Sequence, residues 1–132
     1  LHRILQKVCL KNGAEQSPEA TGLTVAKILR NYIDNNPETI RELNDLCAYV
    51  NLSRSQVIRV FAGEFGITPM KYLIDVRIER AEYLMRMTRI SINDIASQLG
   101  FSDGRHFANA YKQRRSMTPN EYRKEWLKKN RD

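Results

Sequence analysis

The sequence predicts an all-α chain made of two helix-turn-helix units joined by one long linker helix, and three observations carry that prediction. TPMKY at residues 68–72 returns fifty residues later as TPNEY at 118–122, so one structural unit has been used twice. Apolar residues recur at three-four spacing through most of the chain. Between Pro69 and Gly100 there is neither proline nor glycine, so a single helix can connect the two copies.

Taken in order, Leu1, Ile4, Leu5 and Val8 share one helical face, and KNGAEQSPEATG then breaks the pattern. Residues 1–22 therefore read as a helix remnant and linker belonging to an upstream region. From Thr24, the residues Val25, Ile28, Leu29, Tyr32 and Ile33 form one face of an amphipathic helix that ends near Asn35–Pro37. Thr39–Glu42 has the Thr-x-x-Glu form of a capping box, which starts a helix running to about Tyr49. Asn51 suits the following turn because it tolerates a left-handed backbone. Ser53–Gln56 opens a second helix, through about Phe65. Thr68 and Pro69 start the linker helix, since proline at the first helical position loses no needed hydrogen bond. Extended to Met87, that helix is roughly 28 Å long. Ser91–Asp94 starts a short helix, Gly100 turns the chain, and Ser102 or Asp103 caps the next helix. Thr118, Pro119 and Glu121 cap the last. The domain reading is a first subdomain at 23–88, linker helix included, and a second at 89–132 with a basic tail.

The two copies align without gaps on either side of the turn. Leu43, Leu46, Cys47, Val50, Asn51 and Leu52 match Ile92, Ile95, Ala96, Leu99, Gly100 and Phe101 at an offset of 49. After one inserted residue, Val57, Val60, Phe61, Thr68, Pro69 and Tyr72 match Phe107, Ala110, Tyr111, Thr118, Pro119 and Tyr122 at an offset of 50. Each copy is a helix, a tight turn and a second helix.

Composition narrows the function. The chain has 132 residues, a formal charge of +7 and a pI near 9.6, which suits an anionic partner. Residues 105–131 hold nine Lys or Arg against Glu121 and Glu125, so the whole excess sits at one end. No apolar run approaches the eighteen or so residues of a membrane span. Cys9 and Cys47 are isolated, which gives neither a disulfide framework nor metal-ligand spacing and fits a reducing, cytoplasmic setting. Two histidines and two cysteines at unrelated positions offer no nucleophile-base pair, and no phosphate-binding glycine loop is present. These features argue against an enzyme and against any cofactor. Successive major-groove faces on one side of a duplex lie about 34 Å apart, close to the length of the linker helix, so geometry favours double-stranded DNA. The rival readings are a helical protein-protein interaction module and an RNA or single-strand binder, the latter disfavoured by the lack of exposed aromatic platforms.

The stretch ISINDIASQLGFSDGRHFANAYKQRRSMTPNEYR, with LSRSQVIRVFAGEFGITPMKYLIDVRIERA as its matching first half, resembles the DNA-binding domain of the AraC/XylS family of bacterial transcription regulators over residues 38–126. The resemblance implies an all-helical domain whose two second helices enter adjacent major-groove segments, and an activator working beside RNA polymerase. The non-methionine start led to the expectation that a sensing or dimerising domain lies upstream. The chain departs from the family where Ser116 and Met117 replace the usual Gly before the second TP. Gly63 lies inside the first reading helix. Gly104, near the start of the second, removes a side chain that could have reached DNA.

Helical phase selects the contacts. In the first reading helix Val57, Val60, Phe61 and Phe65 form the buried stripe, leaving Ser55, Ile58, Arg59 and Ala62 opposite. Ser55, Ile58 and Arg59 are the base-contacting candidates there, with Arg59 suited to guanine and Ile58 to a thymine methyl. In the second, Phe107, Ala110 and Tyr111 point inward, and Arg105, Ala108, Asn109 and Lys112 outward. Arg105 and Asn109, one turn apart, suit guanine and adenine edges. Backbone phosphates are assigned to Arg54, Gln56, Asn93, His106, Lys112, Arg114 and Arg115.

Overall fold

The structure, a computed structural model, describes residues 18–130, with side chains from Gly22 onward; the helix expected within residues 1–12 and the end of the basic tail lie outside them. The described residues form seven helices: α1 (Pro18–Asn35), α2 (Leu43–Val50), α3 (Arg54–Phe65), α4 (Pro69–Met87), α5 (Ile92–Gln98), α6 (Gly104–Arg115) and α7 (Pro119–Lys129). They divide into two compact units. The first comprises the chain up to Asn36 with Ile40–Leu73, and the second comprises Pro37–Thr39 with residues from Ile74 on.

In the first unit α1 packs on α3. Val25, Ala26, Leu29 and Ile33 from α1 meet Leu43, Leu46 and Val50 from α2 and Val57 and Phe61 from α3, all buried. Tyr32 stacks on Tyr49 at 3.9 Å, and Arg30 lies 4.5 Å over the Phe65 ring. Phe65, expected inside, is only half buried, with Arg30 covering its ring. Tyr72 donates to Asp34 Oδ1 at 2.6 Å, tying the first turn of α4 to α1.

Two starts differ from expectation. α1 begins at Pro18, inside the segment read as linker. Its proline at the first helical position is the signal that also opens α4 and α7. α2 begins at Leu43, one turn after the Thr39–Glu42 box. The Asp45 carboxylate accepts the backbone N–H groups of Arg41 (2.7 Å) and Glu42 (3.1 Å), so the competing cap lies one turn further along. Ile40 stays outside the helix and is buried in the core.

The second unit encloses Ile78, Ala81 and Met85 of α4, Ile95 and Ala96 of α5, and Phe107, Ala110 and Tyr111 of α6, with Leu99 and Phe101 from the turn. The boundary falls inside α4 and not at its end, because the buried residues of that helix from Ile78 to Met85 belong to this core. The expected caps form on α3, α5 and α7. Ser53, Ser91 and Thr118 accept the backbone N–H groups of Gln56, Asp94 and Glu121. Asp103, not Ser102, caps α6, its carboxylate accepting the His106 N–H at 2.7 Å. Asn51 and Gly100 both have positive φ, +58° and +93°, as the turns require.

Candidate nucleic-acid interface

Each unit presents the second helix of its pair with one face in the core and one face out. On α3, Val57 and Phe61 are buried while Ser55, Ile58 and Arg59 are exposed. Ile58 is 38% exposed, while Val60, expected in the buried stripe, and Ala62, expected outward, are half buried. Arg59 has no hydrogen-bond or ion-pair partner among the described residues. Arg54 donates to Asn44 Oδ1 at 2.9 Å. The Gln56 carboxamide oxygen accepts the Ser53 N–H at 3.0 Å, completing the capping box and leaving its NH₂ outward.

On α6, Phe107, Ala110 and Tyr111 are buried, and Arg105, Asn109 and Lys112 are exposed without hydrogen-bond or ion-pair partners among the described residues. His106 pairs its Nδ1 with Ser102 Oγ at 3.2 Å and sets its ring edge-on to Phe101. Ala108, expected outward, is half buried. It lines a hollow between the starts of α5 and α7 together with Gly104, Asn93, Thr118 and Arg123. Gly104 bears on a further expectation. A Cβ there would meet the Asn93 carboxamide oxygen, so a side chain at this position would first have to share its space with Asn93.

The repeat relates the two outward faces. At the offset of 50, Ser55 corresponds to Arg105 and Arg59 to Asn109. Each unit thus offers one unpartnered arginine on its second helix, at neighbouring turns of the two copies.

Arg114 and Arg115 are engaged by carboxylates of α4. Arg114 is ion-paired with Asp75 of α4. Arg115 grips Glu82 of α4 through Nε (2.9 Å) and Nη2 (3.3 Å), and Tyr111 donates its hydroxyl to the same carboxylate at 2.9 Å. Burial first, and then that bond, push the Tyr111 hydroxyl above the usual tyrosine range. The last turn of α6 is thereby clamped to α4. The signal for this was the seven-residue spacing of Asp75 and Glu82, which puts both carboxylates on one side of α4. Cys47 is a half-buried free thiol. No cluster of potential metal ligands occurs among the described residues, and none of their helices is long and apolar enough to cross a membrane.

Residues 46–125 match a protein family described as a helix-turn-helix domain. The chain is 34% identical over 83 residues to the Msm operon regulatory protein of Streptococcus mutans, covering 63% of this chain and 30% of that protein. It is 30% identical over 98 residues to the HTH-type transcriptional regulator MtrA of Neisseria gonorrhoeae, covering 74% of this chain and 32% of that one. The chain thus spans about a third of the length of these relatives. Among solved structures, the C-terminal domain of AraT, a response regulator from Geobacillus stearothermophilus, superposes with a TM-score of 0.73 at 26% identity, over 83% of this chain and 86% of that one. The DNA-binding domain of AdpA, solved with a target DNA, shares the fold at a TM-score of 0.73 and 20% identity, over 82% and 96%. The chain belongs to the AraC-type helix-turn-helix family of transcription regulators.

Proposed function

We propose that this chain is the sequence-specific, duplex-DNA-binding part of a transcription regulator, non-catalytic, with α3 and α6 reading adjacent major-groove segments. The observation that carries the reading is the pair of exposed, unpartnered arginines Arg59 and Arg105, the latter one turn from Asn109, on the second helices of two repeated units. Base contacts fall to Ser55, Ile58, Arg59, Arg105 and Asn109. Arg54, the Gln56 NH₂, Asn93, His106 and Lys112 take phosphates. Arg114 and Arg115, whose charges are already engaged, serve to hold α6 in place. RhaR of Mannheimia succiniciproducens, named a transcriptional activator and 37% identical over 87 residues, supports an activating role; RNA polymerase as partner and a cytoplasmic setting are part of the same proposal. The greater length of the relatives supports a sensing or dimerising domain elsewhere in the full protein.

The test is selection of bound sequences from a random duplex pool at two salt concentrations. The expected result is a motif of two boxes about one helical turn apart. Arg59→Ala and Arg105→Ala should each cost roughly 1–3 kcal/mol at the selected site and relax preference in one box only. Uniform weakening on every sequence would refute the base-contact assignment.

A further inference from the structure

Arg77 is the one charged side chain fully withdrawn from solvent among the described residues, at 5% exposure. A guanidinium is tolerated in such a place only when its donors and its face are engaged. Its Nε donates to the Pro37 carbonyl at 2.9 Å, and its guanidinium carbon lies over the Phe101 ring, 5.3 Å from the centre. At Gly100 a Cβ would come within 2.8 Å of Arg77 Nη2 and within 2.8 Å of the Glu38 carbonyl oxygen. The turn between α5 and α6 is thus roofed by the guanidinium and by the backbone of residues 37–38. Pro37–Thr39 belongs to the second unit although the residues on either side of it belong to the first.

The repeat shows that this roof is particular to the second copy. The residue matching Gly100 is Asn51, which shares the positive φ but is exposed. A side chain there enters solvent, so asparagine suffices. At position 100 the same side chain would strike Arg77 and residue 38, so only glycine fits.

We propose that Arg77 and the Pro37–Thr39 strap are positioning elements for the second reading helix. Arg77 clamps the strap onto the Gly100–Phe101 turn and so fixes the angle at which α6 leaves it, and residues 74–130 without the strap make an incomplete unit. For its DNA consequence this inference rests on the function proposed above.

The experiment uses the full chain and the variants Arg77→Met, Arg77→Lys and Pro37→Gly, the last leaving the guanidinium intact. Amide hydrogen exchange is followed at Gly100 and Phe101, whose N–H groups bond to the Ser97 and Ala96 carbonyls, with Leu52, bonded to Cys47, as the control in the first copy. Loss of the hydrogen bond to the Pro37 carbonyl in Arg77→Met, or loosening of the strap that carries this carbonyl in Pro37→Gly, should speed exchange at Gly100 and Phe101 by at least about tenfold, with Leu52 unchanged. On the selected duplex, preference should flatten in the box read by Arg105 and Asn109 and persist in the box read by Arg59. Lysine should not rescue, having no planar fork to lie on Phe101. Unchanged exchange at the turn, equal acceleration at Leu52 in Pro37→Gly, or faster exchange with intact preference in both boxes would each overturn the inference. A parent chain without sequence preference would refute the proposed function instead, and the exchange data would still decide the positioning role.

Discussion

At the scale of single residues the duplication supplies its own controls. Gly66 and Ser116 occupy the same place, the residue that closes the reading helix in left-handed conformation, with φ of +72° and +62°. A left-handed backbone costs a side-chain-bearing residue roughly 1–2 kcal/mol relative to glycine. Part of that difference is offset by the extra freedom glycine brings to the unfolded chain. Ser116→Gly should therefore stabilise the chain by about 0.5–1 kcal/mol, read as a higher urea midpoint at unchanged m-value. A lower midpoint would mean that the Ser116 side chain contributes more than its backbone costs. Gly63 is the opposite case. It sits inside α3 with nothing within 4 Å of an added Cβ, so Gly63→Ala should gain about 0.5–1 kcal/mol through helix propensity alone. An unchanged midpoint would leave that glycine without a backbone explanation. Both positions were legible in the sequence, because a departure from an internal repeat or a glycine in a helical run is a local signal. Gly104 was not, since the neighbour a Cβ would meet there, Asn93, lies eleven residues away on another helix.

Among the helices, sequence periodicity located every described element, and capping chemistry fixed most boundaries. What escaped was contact between elements. Thr39–Glu42 looked like a start because the local pattern was complete, yet Asp45 supplies a competing cap one turn on. Arg114 and Arg115 read as phosphate ligands because a basic helix end is exposed by default. What the sequence did not announce is that α4 lays Asp75 and Glu82 against them, a pairing across 39 and 33 residues. Arg77 escaped altogether, since nothing near it in sequence announces burial. The α4–α6 clamp has a pH consequence. In the folded chain Tyr111 keeps its proton to higher pH than in the unfolded chain, where tyrosine titrates near 10. Folding stability is then complete below about pH 10 and drains as pH rises above it, because the folded state holds the proton that the unfolded state releases. Urea midpoints measured from about pH 9 to 11.5 should fall in the parent and fall less steeply in Tyr111→Phe. Parallel curves would show that Tyr111 is not the group whose proton is retained.

Across the whole molecule, net charge and available charge are different quantities. The excess of +7 lies in residues 105–131, but two of its cations are held by carboxylates of α4 in the free chain. Counterion release counts only phosphates newly neutralised, at about 0.9 units of slope in log K against log salt for each. Lys112 stands exposed on α6 without a hydrogen-bond or ion-pair partner among the described residues, the Glu121 charge acting on it only at longer range, whereas Arg115 is engaged by Glu82 on two nitrogens. Lys112→Ala should therefore reduce the salt slope of duplex binding by about one unit and weaken all sequences alike. Arg115→Ala should leave the slope nearly unchanged and act through stability, lowering the urea midpoint by the modest amount, below about 1 kcal/mol, that a partly exposed ion pair contributes. Titrating both variants into the selected duplex from about 50 to 200 mM salt separates the two roles. Equal reductions of slope would mean that Arg115 leaves Glu82 for a phosphate on binding. The clamp would then be a feature of the free chain alone, and the available charge of the complex would be larger than that of the free protein.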